Sequence, residues 1–232
     1  MSQPSQSGAP TLTAPLPNSW HMVRALGGVG ILCSLLIVLT FQATLPIITR
    51  NKAEALEQAI FKVLPGATQK AAFAVAGDGQ LSPFAGEPKG ERLIFVGYDE
   101  SGALVGVALE AVGQGFQEAI RILYGYAPDR QVVVGMEVLE SRETPGLGDK
   151  IMKDANFLAN FVALDVALNA GGNGLENPVV AVKFGQKKNP WEVDGITGAT
   201  ISSKAVADII RTSSEEILPI LAGQLEKLKK VE

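Results

Sequence analysis

The sequence predicts an α+β fold: a twisted, mostly antiparallel sheet with helices packed against it, carried on a single N-terminal transmembrane helix. Three observations predict it. The run ALGGVGILCSLLIVLTFQATLPII, Ala25 to Ile48, contains no charged residue and is long enough to cross a bilayer core as a helix. Downstream, runs rich in β-branched and aromatic residues alternate with clusters of turn residues. Toward the C-terminus, apolar residues recur at the spacing of one helix face.

The chain divides accordingly into a flexible tail (1–22), a transmembrane helix (23–48), a stalk or packing helix (49–70) and a folded domain (71–232). Met1 to Asn18 are rich in Ser, Pro, Thr and Gln and cannot bury enough apolar surface to order themselves. The apolar run that follows is too long for a usual signal-peptide core and lacks a positive cluster before it, so it reads as an uncleaved anchor. Pro46 is tolerable in such a helix. Gly27, Gly28 and Gly30 offer a close-packing face. From Asn51, a capping residue, the positions Ala55, Leu56, Ala59, Ile60, Val63 and Leu64 line one helix face until Pro65-Gly66 stops it.

In the folded domain, Arg92–Tyr98 and Ala103–Glu110 flank Asp99-Glu100-Ser101-Gly102, a hairpin signal. Gly113-Gln114-Gly115-Phe116 reads as a bend, and Gln131–Leu139 as another strand. Ile151 to Leu168 is a helix candidate, Ala170–Gly174 a loop and Pro178–Phe184 a strand. A helical pattern then runs to about Lys230, with Ser213-Ser214-Glu215-Glu216 resembling a fresh helix start. The stripe Leu218, Leu221, Leu225, Leu228 reads as core.

Composition narrows the chemistry. No basic cluster tracks a nucleic-acid backbone. The one histidine, His21, precedes the apolar run, and the one cysteine, Cys33, lies inside it. The folded domain therefore has no His/Cys metal site, thiolate iron–sulfur ligation, disulfide or Ser-His-Asp triad. Redox chemistry there would need an organic cofactor.

Two stretches stand out. In Asp194-Gly195-Ile196-Thr197-Gly198-Ala199-Thr200-Ile201-Ser202-Ser203, two glycines flank a polar turn and Ile201, Ala205, Val206, Ile209 and Ile210 begin a helix face. Thr200 thus lies at or beside a helix N-terminus, where free N–H groups favour a phosphate. An ordinary loop capped by Thr200, Ser202 or Ser203 fits the same residues. Asp194 is either an acid–base or metal-positioning group or a cap for its own turn. The second stretch, Glu143-Thr144-Pro145-Gly146-Leu147-Gly148-Asp149-Lys150, fits a strand-to-helix loop.

Asp-x-x-Thr-Gly-Ala-Thr resembles the flavinylation motif of the FMN-binding domain family, and Glu-Thr-Pro-Gly-Leu-Gly resembles a second motif of that family. Together with Ile201 and Lys204-Ala205-Val206 they are most similar to the G subunit of the Rnf ion-translocating complex, and related to the C subunit of the Na⁺-translocating NADH:quinone reductase. The resemblance covers about Ala25 to Val206. It implies FMN joined to Thr200 by a phosphoester, with Asp194, Thr197, Gly198, Ala199, Ser203, Glu143, Thr144, Leu147 and Gly148 around the cofactor. It implies no catalytic residue and no metal ligand. A separate Mg-dependent flavin transferase would attach the flavin, and the other Rnf subunits and membrane lipid would be the remaining partners. The implied role is that of an electron carrier in an assembly linking ferredoxin and NAD to ion transport. The homologous carrier of the quinone reductase, and a membrane-anchored phosphate- or nucleotide-binding module without redox function, are the alternatives. Thr197 stands where the family often has serine, which keeps the hydroxyl.

Orientation is where residues and resemblance disagree. Arg24 precedes the span while Arg50 and Lys52 follow it, which leans toward a cytoplasmic domain. The resemblance implies the reverse: a bacterial inner-membrane protein, single-pass, with residues 1–22 cytoplasmic and the flavin domain on the outer side.

Overall fold

The computed structural model describes residues 19–77, 79–86, 90 and 92–229. The tail expected over residues 1–22 therefore lies largely outside the described residues. The chain separates into two compact units, residues 1–52 and 53–232.

The first unit holds most of α1, Ser19–Val63, a 45-residue helix that begins ahead of the apolar run and continues past it. Its apolar stretch is exposed along its length, and it is long and apolar enough to cross a membrane. Thr44 and Thr49 return their hydroxyls to carbonyls of the preceding turn, at 2.9 Å to Thr40 and 3.1 Å to Leu45. Such back-bonding accompanies the turn interrupted by Pro46.

The second unit is built on seven antiparallel strands in the order β2-β1-β3-β4-β5-β6-β7. They are β1 (Gln69–Val75), β2 (Leu81–Pro83), β3 (Arg92–Tyr98), β4 (Leu104–Gln114), β5 (Ala119–Ala127), β6 (Val132–Glu140) and β7 (Leu164–Asp165). The β3–β4 hairpin falls where the sequence places it. Asp99 shapes its turn by accepting from the N–H groups of Ser101 at 2.8 Å and Ala103 at 2.9 Å.

Both faces of the sheet are covered. Ile94, Val96, Val107, Leu109, Ile122 and Tyr124 point into one core with α3 (Thr200–Ala222), through Val206, Ile210, Ile217 and Leu221. The alternate residues Phe95, Ala108 and Leu123 pack on the other side against Ala59, Ile60, Val63 and Leu64, the end of α1. Period-two alternation thus survives in direction while polarity is lost, because neither face sees water.

The end of α1 reaches the sheet over glycines. Gly97 pairs with Gly106, and Gly125 with Gly135. A Cβ on Gly97 would stand 2.7 Å from Leu64 Cδ1, and one on Gly135 would stand 2.9 Å from Val63 Cα. A Cβ on Gly125 would overlap the Val63 carbonyl oxygen. Here glycine is required by close approach of two backbones.

Three expectations are corrected. Ile151–Leu168 is not one helix: a 3₁₀ turn (Gly148–Met152), α2 (Ala155–Ala159), a second 3₁₀ turn (Asn160–Val162) and β7 occupy it. The Asp154 carboxylate accepts from the Phe157 N–H at 2.9 Å and restarts the helix there. Asn160 then bonds across to the Asp194 backbone and turns the chain away. Nor does a helix begin at Ser213. That pair lies buried within α3, and the Tyr124 hydroxyl donates to Ser213 Oγ at 2.9 Å. Burial pushes the Tyr124 pKa up. The helix ends at Ala222 rather than running on to about Lys230. Gln224, whose amide donates to the Gly79 carbonyl at 2.6 Å, sets the turn before α4 (Leu225–Leu228).

A two-stranded parallel ribbon, β8 (Val180–Val182) and β9 (Glu192–Asp194), delivers the chain to the head of α3.

Candidate functional site

The turn from β9 into α3 is closed by its own helix. Gly195 donates to the Val182 carbonyl at 3.0 Å, and a Cβ there would meet that oxygen at 2.8 Å. Gly198 has φ +84°, a conformation that residues with a Cβ adopt only under strain. Ser203 Oγ accepts from the Ile196 N–H at 3.0 Å and donates to the Ala199 carbonyl at 2.9 Å. Of the three hydroxyl residues considered as caps, none serves: Ala199 occupies that position, without a side-chain cap. Thr200, first residue of α3, is exposed, and its hydroxyl has no hydrogen bond to another described residue.

Glu143 is the hub of the site. It is 6% exposed, and its carboxylate holds three donors from two other segments. Oε1 accepts from the N–H groups of Phe116 at 2.9 Å and Gln117 at 3.1 Å. Oε2 accepts from Ser202 Oγ at 2.5 Å. Gly115 and Gly148 make room for it: a Cβ on Gly115 would stand 2.5 Å from Oε1, and one on Gly148 would strike the same carboxylate and stand 2.8 Å from Ser202 Oγ. The β4–β5 turn, the Glu143–Gly148 loop and the first turn of α3 are thereby tied together.

Where they meet is a cavity of about 300 Å³ lined by Phe116, by Glu143, Thr144, Leu147 and Gly148, and by Gly198, Ala199, Thr200, Ile201 and Ser202. Phe116, Leu147 and Ile201 are each more than half exposed there, which is unusual for large apolar side chains gathered in one place. The loop carrying Leu147 is shaped by Gly146, at φ +78°, and by Asp149, which accepts from the Gly146 N–H at 2.7 Å. The hydrogen bond from Lys153, at 2.9 Å, and then that from Gly146 hold the Asp149 carboxyl below its ordinary pKa.

Of the residues singled out in the sequence, Glu143, Thr144, Leu147, Gly148, Gly198, Ala199 and Thr200 converge on this cavity. Asp194, Thr197 and Ser203 do not line it. The Asp194 carboxylate instead accepts from the N–H groups of Gly185 at 2.9 Å and Gln186 at 3.3 Å, holding the turn between β8 and β9. Thr197 is exposed on the turn, and Ser203 is buried inside it. Phe116, Ile201 and Ser202 join the site without having been placed in it by the motifs. The signal for Phe116 is tertiary, since the Gly-Phe bend gains meaning only from the distant Glu143, whereas Ile201 and Ser202 directly follow Thr200 in the chain.

Removing the hub should be costly. Glu143→Ala leaves two part-buried N–H groups and the buried Ser202 hydroxyl without a partner, at roughly 3 kcal/mol in total. The denaturant midpoint should fall accordingly, and Glu143→Gln, which keeps an acceptor oxygen, should lose less. Equal midpoints for the Ala and wild-type proteins would contradict the hub role.

A family model described as FMN-binding domain matches residues 115–214, spanning all three segments of the cavity. The chain is 30% identical over 187 residues to the G subunit of the ion-translocating oxidoreductase complex of Methanosarcina acetivorans, covering 78% of this chain and 85% of that one. It is 28% identical over 200 residues to the G subunit of the Na(+)-translocating ferredoxin:NAD(+) oxidoreductase complex of Acetobacterium woodii, covering 84% and 91%. Among solved structures it is similar to Shewanella oneidensis NqrC, with TM-score 0.57 at 17% identity over 78% of this chain and 99% of that chain. It also resembles the C subunit of the Na(+)-translocating NADH-quinone reductase of Parabacteroides distasonis, with TM-score 0.56 at 20% identity over 79% and 97%. With these two structures it shares the fold. The chain belongs to the family of G subunits of ion-translocating oxidoreductase complexes.

Proposed function

We propose that this chain is a membrane-anchored electron carrier that holds FMN through a phosphoester on the Thr200 hydroxyl. One observation carries the reading: an exposed threonine with an uncommitted hydroxyl stands at the rim of a cavity walled by exposed apolar side chains. The residues fit the cofactor. Phe116, Leu147 and Ile201 offer apolar cover to a flat ring, and the head of α3 suits the negative charge of a bridging phosphate. When bound, the flavin supplies one- and two-electron chemistry that no side chain here possesses.

A threonine hydroxyl needs activation before it can attack phosphorus. The carboxylate nearest in the cavity, Glu143, is committed to three donors, and Asp194 faces another turn. Activation therefore falls to a separate flavin transferase, which breaks the pyrophosphate of FAD, moves FMN onto the Thr200 oxygen and releases AMP; this chain is its substrate. Redox turnover belongs to the assembly of subunits; this chain relays electrons within it.

The test is an intact mass and peptide map of the protein made in membranes with the transferase present. The expected adduct is FMN minus water on the peptide containing Thr200. The same mass on Thr197 would move the attachment, and its absence would remove it.

Residues 23–48 of α1 cross the inner membrane, residues 1–22 remain cytoplasmic, and the flavin domain stands on the outer side. On that side a dissociated flavin would diffuse away, which gives covalent attachment its purpose. Asn173, exposed in the loop after β7, offers a probe. Asn173→Cys in a Cys33→Ala background should react with a membrane-impermeant thiol reagent in intact spheroplasts. Reaction only after lysis would place the domain in the cytoplasm.

A further inference from the structure

Lys150 lies in the 3₁₀ turn Gly148–Met152, half-buried, beside the cavity. Its Nζ is 3.8 Å from where a Cβ on Gly198 would stand, so the ammonium faces the turn that leads into Thr200. Among the described residues that ammonium makes no hydrogen bond and no ion pair. The adjacent acid does not engage it: Asp149 is taken by the Gly146 N–H at 2.7 Å and by Lys153 Nζ at 2.9 Å. Lys150 reaches Asp149 only through its field. Glu143, the other acid of this loop, is closed by its own three donors. By contrast, Lys187, the lysine near Asp194, donates to Asn160 Oδ1 at 3.2 Å.

An ammonium held against a glycine turn, two residues before the attachment hydroxyl, lacks an anion. Esterification of Thr200 with FMN brings one: a phosphodiester carries a single negative charge, spread over two non-bridging oxygens that accept hydrogen bonds. Gly198 leaves space on its lysine-facing side. A charge-assisted contact is both shorter and stronger than a neutral one, and a lysine reaches a phosphate as a mobile point charge.

We propose that Lys150 is a positioning residue that supplies the counter-charge to the phosphodiester on Thr200 and so fixes the flavin tether against the cavity. The assignment rests on the attachment of FMN at Thr200.

The experiment uses the full chain, produced in membranes with the flavin transferase. Melting is followed for the loaded protein and for Thr200→Val, which has no acceptor hydroxyl. Lys150→Met keeps the aliphatic stem and removes the charge; Lys150→Arg keeps the charge. Lys150→Met should lower the melting temperature of the loaded protein by about 2–4 °C. It should leave the Thr200→Val protein unchanged, and Lys150→Arg should restore most of the loss. The difference should shrink with added salt. A Lys150→Met chain that melts like Thr200→Val yet stays unloaded, while Lys150→Arg loads, would support the counter-charge role more strongly still. Equal shifts in loaded and unloaded proteins would make the lysine merely structural and overturn the proposal, as would no shift in either. An unmodified wild-type chain would overturn the attachment itself, and the role of Lys150 with it. A loaded wild type indifferent to Lys150→Met overturns only the latter.

Discussion

Thr200→Val is expected to yield a folded protein that carries no covalent flavin. Valine keeps the branched shape at Cβ and deletes only the hydroxyl. That hydroxyl is exposed, bonds to no described residue and does not cap α3, whose cap position is Ala199. Its removal should therefore change stability by no more than about 0.5 kcal/mol. The effect on the cofactor is all-or-none, because without the oxygen no ester forms. In-gel fluorescence after denaturation reads this directly: a bright wild-type band and a dark Thr200→Val band. Thr197→Val, altering a hydroxyl outside the cavity, should stay bright. A fluorescent Thr200→Val band would mean that another residue bears the flavin.

Gly125→Val should unseat the end of α1 and lower the melting temperature by roughly 6–12 °C, the equivalent of about 3 kcal/mol. A Cβ at this position would overlap the Val63 carbonyl oxygen and stand 2.9 Å from Leu64 Cδ2. The obstacle is backbone, which cannot swing aside as a flexible side chain can. Retreat of the helix end is also resisted, because Leu64 is fully buried over Gly97 and Gly106. Gly77→Ala is the matched control, since a Cβ there meets nothing within 4 Å. Thermal denaturation of the two variants decides the matter; indistinguishable curves would mean that the glycines are not needed for close approach.

Some of this architecture is readable in the sequence, and the rest is hidden for physical reasons. The β3–β4 hairpin is legible because Asp99-Glu100-Ser101-Gly102 carries its own turn chemistry. The head of α3 is legible because a glycine turn precedes a clean helical period. β5 is hidden: Ile122, Leu123, Tyr124 and Tyr126 are all buried, so its polarity does not alternate. β1, QKAAFAV, reads as a strand only through its pairing with β3. The Ser213-Ser214 pair mimics a helix cap, and nothing local reveals that Tyr124, far away in the chain, supplies its partner. In the site, the two motifs meet as expected, while Phe116 is invisible locally because its tie to Glu143 spans 27 positions. Asp194 shows a reading that the sequence leaves open between chemistry and a turn. Its place in a motif suggests chemistry, yet its carboxylate is engaged by the backbone of a neighbouring turn.

The Glu143 hub also dates the cavity within the life of the chain. Strands β1 to β6 are complete by Glu140, and each pairs with a near neighbour in sequence, so ribosomal synthesis can deliver a sheet early. The cavity cannot exist then, because one wall, Gly198 to Ser202, is translated some sixty residues after Glu143 and is fixed by the Ser202 bond to it. A truncated or misassembled chain would offer a modifying enzyme a threonine without its surroundings.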